Sequence, residues 1–268
     1  MKSSFLRFAL PAFCLFAAHL QGQQSSPPWH VQSLNLIKVT PGKNREFLQL
    51  MRDTSMKVAQ QRVDKGEILV WTLLRSVMPA GQEARADYII STISVGPPPV
   101  PMDGPTFEAA LKKAGASVSL NDFYAARTST STLVASELWQ LRERVASPKK
   151  GHYVMLNSMK VTDRDAYGEF ESKMFRPMAE EIVKQGFMSG WLYSTKMLPT
   201  GSETPYTAMT VDMFPTWEAA FANFDFEGIF KKVHPGRSLD DTMVQMEKLR
   251  SIAKRELWVI EERIEKKK

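Results

Sequence analysis

Glu137-Leu138-Trp139-Gln140-Leu141-Arg142-Glu143-Arg144-Val145 returns near the end of the chain as Glu256-Leu257-Trp258-Val259-Ile260-Glu261-Glu262-Arg263-Ile264. Working outward, further pairs keep the same order in both halves. Lys38-Val39-Thr40 matches Lys160-Val161-Thr162, Gly66 and Trp71 match Gly186 and Trp191, Pro79 and Gly81 match Pro199 and Gly201, and Tyr88 matches Tyr206. Pro105-Thr106-Phe107-Glu108-Ala109-Ala110 recurs as Pro215-Thr216-Trp217-Glu218-Ala219-Ala220, and Ser119-Leu120-Asn121-Asp122 as Ser238-Leu239-Asp240-Asp241. Ordered matches along a whole chain mark an internal repeat, which has to be read before any fold is assigned.

Each element can therefore be read twice. Residues 34–39 and 154–161 are apolar-rich and are predicted strands. Residues 44–65 and 165–185 carry apolar side chains at helical spacing, with Phe47, Leu50, Met51 and Val58 in one copy and Phe170, Met174, Met178 and Ile182 in the other. Gly66 and Gly186 are their stop signals. Strands follow at 68–78 and 190–198, each closed by a Pro-x-Gly turn, and again at 88–95 and 206–213. The Pro-Thr-aromatic-Glu-Ala-Ala segments open second helices, a further helix is predicted at 239–254, and 137–145 and 256–264 alternate as last strands. The class is α+β, and β-α-β-β-α-β is the order of a split β-α-β, ferredoxin-like unit. Such a unit leaves one sheet face bare. Two tandem ferredoxin-like repeats, 29–146 and 151–265 with 147–150 as linker, bury those faces sheet to sheet as an intramolecular α/β barrel with an interior. Residues 266–268 are a basic tail.

Ahead of the repeats, Lys2 and Arg7 introduce a mostly apolar run over 8–20 without Lys, Arg, Asp or Glu, and 21–28 turns polar and ends in Pro27-Pro28. This is the layout of a signal peptide over 1–22, cleaved near Gly22 and followed by a linker at 23–28, and it directs the protein to secretion or the periplasm. The apolar run is too short to span a bilayer stably. Cys14 is the only cysteine, so the expected mature chain has neither disulfides nor thiolate metal sites. Its basic residues are scattered rather than gathered with aromatics, which argues against a nucleic-acid partner, and no later stretch is apolar enough for a membrane span. No phosphate-binding glycine loop, His-Glu-x-x-His or Gly-x-Ser-x-Gly occurs, and the spacing of His30, His152 and His234 recommends no metal site.

Asn35-Leu36-Ile37-Lys38-Val39-Thr40-Pro41-Gly42, followed by Phe47, resembles the opening of dimeric α/β-barrel domains. That superfamily includes antibiotic-biosynthesis-type monooxygenases, haem-degrading monooxygenases and NIPSNAP-like proteins. The resemblance implies a barrel cavity for a small apolar or aromatic molecule. Ile229-Phe230-Lys231-Lys232-Val233-His234 is similar to the helix that carries the axial histidine of haem-degrading members. Asn157 stands where those members use a first-strand asparagine, while Phe224 stands where they use tryptophan, a departure from their pattern. Gly115 is opposite His234 in the first copy, so a histidine ligand is confined to the second.

Asn35 and Asn157 are equivalent, and each lies mid-strand among alternate apolar neighbours, which in the second copy are Tyr153, Met155, Met159 and Val161. An amide there is either paired structurally or touches a ligand. By strict alternation Glu262 shares a face with Trp258, Ile260 and Ile264, and Glu143 one with Trp139, Leu141 and Val145. A carboxylate on such a face titrates high unless paired, and can serve as acid or base. Antiparallel pairing of first and last strands brings Glu143 toward His30 and Glu262 toward His152, as a proton-handling pair or a structural clasp. Trp71, Trp191, Trp139 and Trp258 are core or the walls of a site for a flat ligand. His234, ahead of Pro235-Gly236, is a helix cap or a ligand. The catalytic candidates are Asn157, His234 and Glu262; the ligand-binding candidates are Asn35, Trp71, His152, Trp191 and Trp258. Three functions fit: a protein that holds a small molecule in the barrel interior, a cofactor-free or haem-linked monooxygenase with its site in the second repeat, or a structural or interaction protein of the cell envelope.

Overall fold

The computed structural model of the chain describes residues 29–266. The expected leader, its cleavage point and the linker at 23–28 lie outside the described residues, as does the end of the basic tail. The first copy runs β1 (His30–Val39), α1 (Asn44–Leu50), a π turn (Met51–Ser55), α2 (Met56–Asp64), β2 (Val70–Met78), β3 (Tyr88–Val95), α3 (Gly104–Lys113), α4 (Leu120–Thr130) and β4 (Ser131–Val145). The second runs β5 (Tyr153–Val161), α5 (Arg164–Phe170), a π turn (Glu171–Phe175), α6 (Arg176–Lys184), β6 (Gly190–Leu198), β7 (Ala208–Phe214), α7 (Trp217–Phe221), α8 (Phe226–Val233), α9 (Leu239–Leu249) and β8 (Arg250–Glu265).

Local chemistry explains the shared boundaries. Gly66 and Gly186 follow α2 and α6 with φ of 75° and 83°, the left-handed turn-off that side chains with a Cβ disfavour. Ser119 and Ser238 cap α4 and α9 by accepting the Asp122 and Asp241 amides. Two expected details differ. Residues 250–254 belong to β8 and not to a helix, because Arg250 pairs with Val161 and the strand ladder overrides helical spacing. Ile37 pairs with Tyr88 and Met159 with Ala208, so Tyr88 corresponds to Ala208, and Tyr206 to Ala86.

All pairings are antiparallel, and eight strands close in the order β1-β3-β2-β8-β5-β7-β6-β4. Each copy keeps the ferredoxin-like order, its last strand beside its first. The seams between copies are β2 with β8 and β4 with β6, so the long strands β4 and β8 belong to both halves and no sheet edge is left open. Leu36, Trp139, Leu156, Met209, Trp258 and Ile260 belong to one buried cluster inside the ring. Side chains fill a barrel of this strand number, so the expected ligand chamber in the interior is replaced by core. Trp258, 1% exposed, is part of that core and not a ligand contact.

The interior also holds charge. Glu137 and Lys196, 5% and 3% exposed, pair at 3.0 Å. Tyr206 Oη donates to Glu137 Oε1 at 2.7 Å, Trp139 Nε1 donates to Oε2 at 3.2 Å, and Lys196 Nζ lies 4.1 Å from the Tyr206 ring centroid. Burial opposes ionisation of Glu137, but Tyr206, Lys196 and Arg85 outweigh it and hold the carboxyl below its ordinary range. Residues of both copies share this network. The outer faces of the sheet pack under helices, with Phe47, Met51 and Trp71 in the first copy and Phe170, Met174 and Trp191 in the second.

Candidate functional site

β5 turns Val154 and Leu156 to the interior and Asn157 and Met159 to the helices. Between that outer face and the π turn, α6 and α8 of the second copy lies a cavity of about 270 Å³. Its apolar wall includes Phe175, Met178, Met188, Trp191, Phe224 and Phe226; Asn157, Glu171, Asp212, Arg250 and Arg255 supply its polar side. A mostly apolar pocket with a few convergent polar groups is the usual form of a small-molecule site.

The polar groups are ordered by one another. Asn157 Nδ2 donates to Asp212 Oδ2 at 2.9 Å and to Thr210 Oγ1 at 3.3 Å, and Arg255 Nε donates to Asn157 Oδ1 at 2.7 Å. The amide thus bridges an acid and a base. Burial pushes Asp212 above the ordinary aspartate range, although Asn157, Arg255 and Arg250 oppose the shift. Glu171 opens the π turn, a helix distortion frequent at functional positions. Its Oε1 accepts from Tyr167 Oη, while the buried Oε2 has no partner. Burial raises Glu171 to about 7, against the opposing pull of Tyr167 and Arg250. A carboxyl poised there can accept or return a proton at neutral pH.

The first copy has a crevice of about 310 Å³ at the same place, in which Val58, Ala59, Ile68 and Trp71 stand for Met178, Ala179, Met188 and Trp191. The polar set is missing. Met51 opens its π turn where Glu171 opens the other, Thr92 pairs with Trp71 as Asp212 does with Trp191, and Ser131 and Ser136 replace Arg250 and Arg255. Asn35 merely accepts from Ser136 Oγ at 2.7 Å.

Of the residues singled out in the sequence, Asn157 and Trp191 meet in the second-copy cavity, and Trp71 lines the first-copy crevice. The others lie elsewhere. Glu262 is turned from the interior, because a bulge inserts Glu261 between Ile260 and Glu262 opposite Leu73 and Leu74. It binds Arg52 and Lys150 at 2.7 Å each, and these partners overcome burial to keep it below its ordinary pKa. The expected clasp with His152 is not formed; His152 Nδ1 accepts the Lys149 amide at 3.2 Å. A matching bulge at Arg142 turns Glu143 out to Ser172 and Arg176. His234 Nε2 donates to the Met174 carbonyl at 2.9 Å, and His234 is not among the cavity residues. Haem therefore does not fit this site: no histidine lines it, and the Asn157 amide is already fully paired. Among the described residues no group of His, Cys, Asp and Glu is gathered to hold a metal ion, and no helix is long and apolar enough to cross a membrane.

No family model and no curated protein matches the chain. Many solved structures match the chain, and two of them illustrate the likeness. One, a candidate monooxygenase from Fusobacterium nucleatum, is 10% identical with a TM-score of 0.54, covering 90% of this chain and 96% of its own. Another, a candidate monooxygenase from Lactobacillus acidophilus, is 12% identical with a TM-score of 0.54, covering 89% and 97%. The chain has the dimeric α/β-barrel fold. In this α/β barrel both halves come from one molecule, and the polar cavity belongs to the second half alone. Glu171, Asp212, Arg250 and Arg255 were not singled out in the sequence. The readable signal was Met51, a member of the apolar helix face whose counterpart is a glutamate.

Proposed function

We propose that the second-copy cavity binds a small aromatic molecule and that Glu171 removes a proton from it, as in a cofactor-free monooxygenase. The observation that carries this reading is the unpartnered, buried Oε2 of Glu171, a residue that lines a mostly apolar cavity. In such a reaction Glu171 takes a proton from a weakly acidic CH2 group, leaving a carbanion stabilised by the ring system. The carbanion gives its electrons to dioxygen, a C–O bond forms, and the proton returns from Glu171 to give a hydroperoxide. Loss of water converts this to a carbonyl, so one dioxygen is consumed and one water is released. Trp191, Phe175 and Phe226 hold a flat ring system and exclude water, which strengthens every electrostatic interaction inside. The names of the two similar structures agree with this reading. Export belongs to the same proposal, and N-terminal sequencing of the protein recovered outside the cytoplasm would show a start near Gln23 if the leader is cleaved as expected.

Dioxygen uptake with anthrone, whose ring CH2 is acidified by its carbonyl, tests the chemistry. The protein should accelerate uptake, and Glu171→Gln should lower the rate by about 10²–10⁴-fold, the usual weight of a general base. An unchanged rate in that variant would overturn the assignment.

A further inference from the structure

Among the described residues lining the cavity, two buried polar atoms have no partner: Glu171 Oε2 and Arg250 Nε. One is an acceptor and the other a donor, and buried polar atoms are rarely left open unless something else completes them. Arg250 begins β8 opposite Val161, and its Nη2 reaches Met246 Sδ at 3.0 Å. Among the described residues no carboxylate forms an ion pair with it, although a guanidinium keeps its charge under all ordinary conditions. Arg255 is likewise engaged only through the neutral Asn157 amide. The two facing carboxyls, Glu171 and Asp212, are both driven toward their neutral forms by burial. Two arginine side chains, neither of them in an ion pair among the described residues, line this otherwise largely apolar and aromatic chamber. Neither half of this arrangement exists in the first copy, where Met51 and Ser131 stand instead.

Resting on the reading of Glu171 as the base, we infer that the natural substrate is an aromatic anion. Its carboxylate or equally charged oxygen docks on Arg250 Nε, and an acidic hydrogen beside that group points to Glu171 Oε2. Arginine suits this role because its N–H groups form strong charge-assisted hydrogen bonds to oxyanions. Trp191 and the phenylalanines take the rings, so neither a purely apolar molecule nor an aliphatic acid would satisfy both walls.

Three bicyclic probes separate the terms: 2-naphthol, 2-naphthoate and 3-hydroxy-2-naphthoate, each titrated calorimetrically into the full-length mature protein. Both carboxylates should bind at least about tenfold more tightly than 2-naphthol, the step expected of one charge-assisted contact. Arg250→Met should abolish that preference, bringing both carboxylates within about twofold of 2-naphthol in the same variant. Arg250→Lys, which keeps the charge but lacks the Nε donor, should recover only part of it, and thermal melts establish that each variant is folded. Equal binding of naphthol and naphthoate by the unaltered protein would overturn the inference, as would an Arg250→Met variant that still prefers carboxylates. The two readings fail separately. Loss of anthrone-dependent oxygen uptake in Glu171→Gln with carboxylate selectivity unmoved in Arg250→Met leaves the base and removes the anion site; the opposite pattern leaves the anion site without the chemistry.

Discussion

In the proposed chemistry Glu171 is the acting base, and its environment dictates a pH dependence. Acting as a base, it must be ionised, so kcat/KM should rise with pH and level off above about 7; a profile flat from pH 5 to 9 would rule Glu171 out as the base. The same shift bears on stability with a definite sign. Its folded pKa lies above the unfolded value of 4.5, so the native state binds the proton more tightly. Stability should therefore fall as pH rises from about 4.5 through 7, by roughly 3 kcal/mol for a shift of this size. Glu171→Gln should remove most of that slope, with the variant gaining on the parent at pH 8 but not at pH 4 in urea titrations. Only the smaller part of this site was legible in the sequence. Asn157 and Trp191 could be picked out because a repeat shows which polar or aromatic residues hold their place. Glu171 and Asp212 do not stand out that way, because their counterparts Met51 and Thr92 are uncharged: matching the copies selects what they share, and Glu171 shows only as the mismatch with Met51.

The elements show where alternation misleads. Glu262 shares parity with Trp258 and Ile260, yet the bulge at Glu261 sends it to the helix side, where Arg52 and Lys150 receive it. Arg52 comes from the first copy, so this contact fastens the helix layer of one half to the last strand of the other. Glu262→Ala should cost about 1–3 kcal/mol, since it strips two cations of a 6%-exposed carboxylate. Its folded pKa is depressed, so the contribution is fully present above the unfolded value of about 4.5 and disappears as pH falls through the folded one. Urea midpoints of parent and variant should therefore converge in acid; a gap that persists at pH 2 would mean the loss is one of packing. The helix forecast for 239–254 failed for a related reason. Met243 and Met246 do keep helical spacing, but Arg250 onward is claimed by its ladder with β5.

At the scale of the molecule, the ring is held by two seams and by the charged network inside it. Lys196 comes from the second copy and Glu137 from the first, and each is nearly inaccessible. Lys196→Ala should destabilise by about 3 kcal/mol, the low end for a broken buried pair, because it leaves the Glu137 carboxylate with only the more distant Arg85 guanidinium as counter-charge; a double replacement, Glu137→Gln with Lys196→Met, should recover much of that loss. Chemical denaturation of the two variants measures both, and equal losses would show that the pair adds nothing beyond packing. The ring closure followed from the repeat and the bare sheet faces. That the interior would be solid did not follow, because the same Trp139 and Trp258 serve a filled core as readily as a chamber.

Glu265 ends β8 beside Val70, Val70 pairs with Ile93, and Ile93 pairs with Gln32 near the start of β1. The start of β1 and the end of β8 thus lie at one rim, a few strand widths apart, and the segment joining β4 to β5 lies at that rim too, where Arg144 reaches Glu265 at 2.6 Å. A permuted gene that starts at Gly151 and runs from Glu265 through a short flexible connector into Trp29 would trace the same circle, with the copy that carries the cavity now synthesised first.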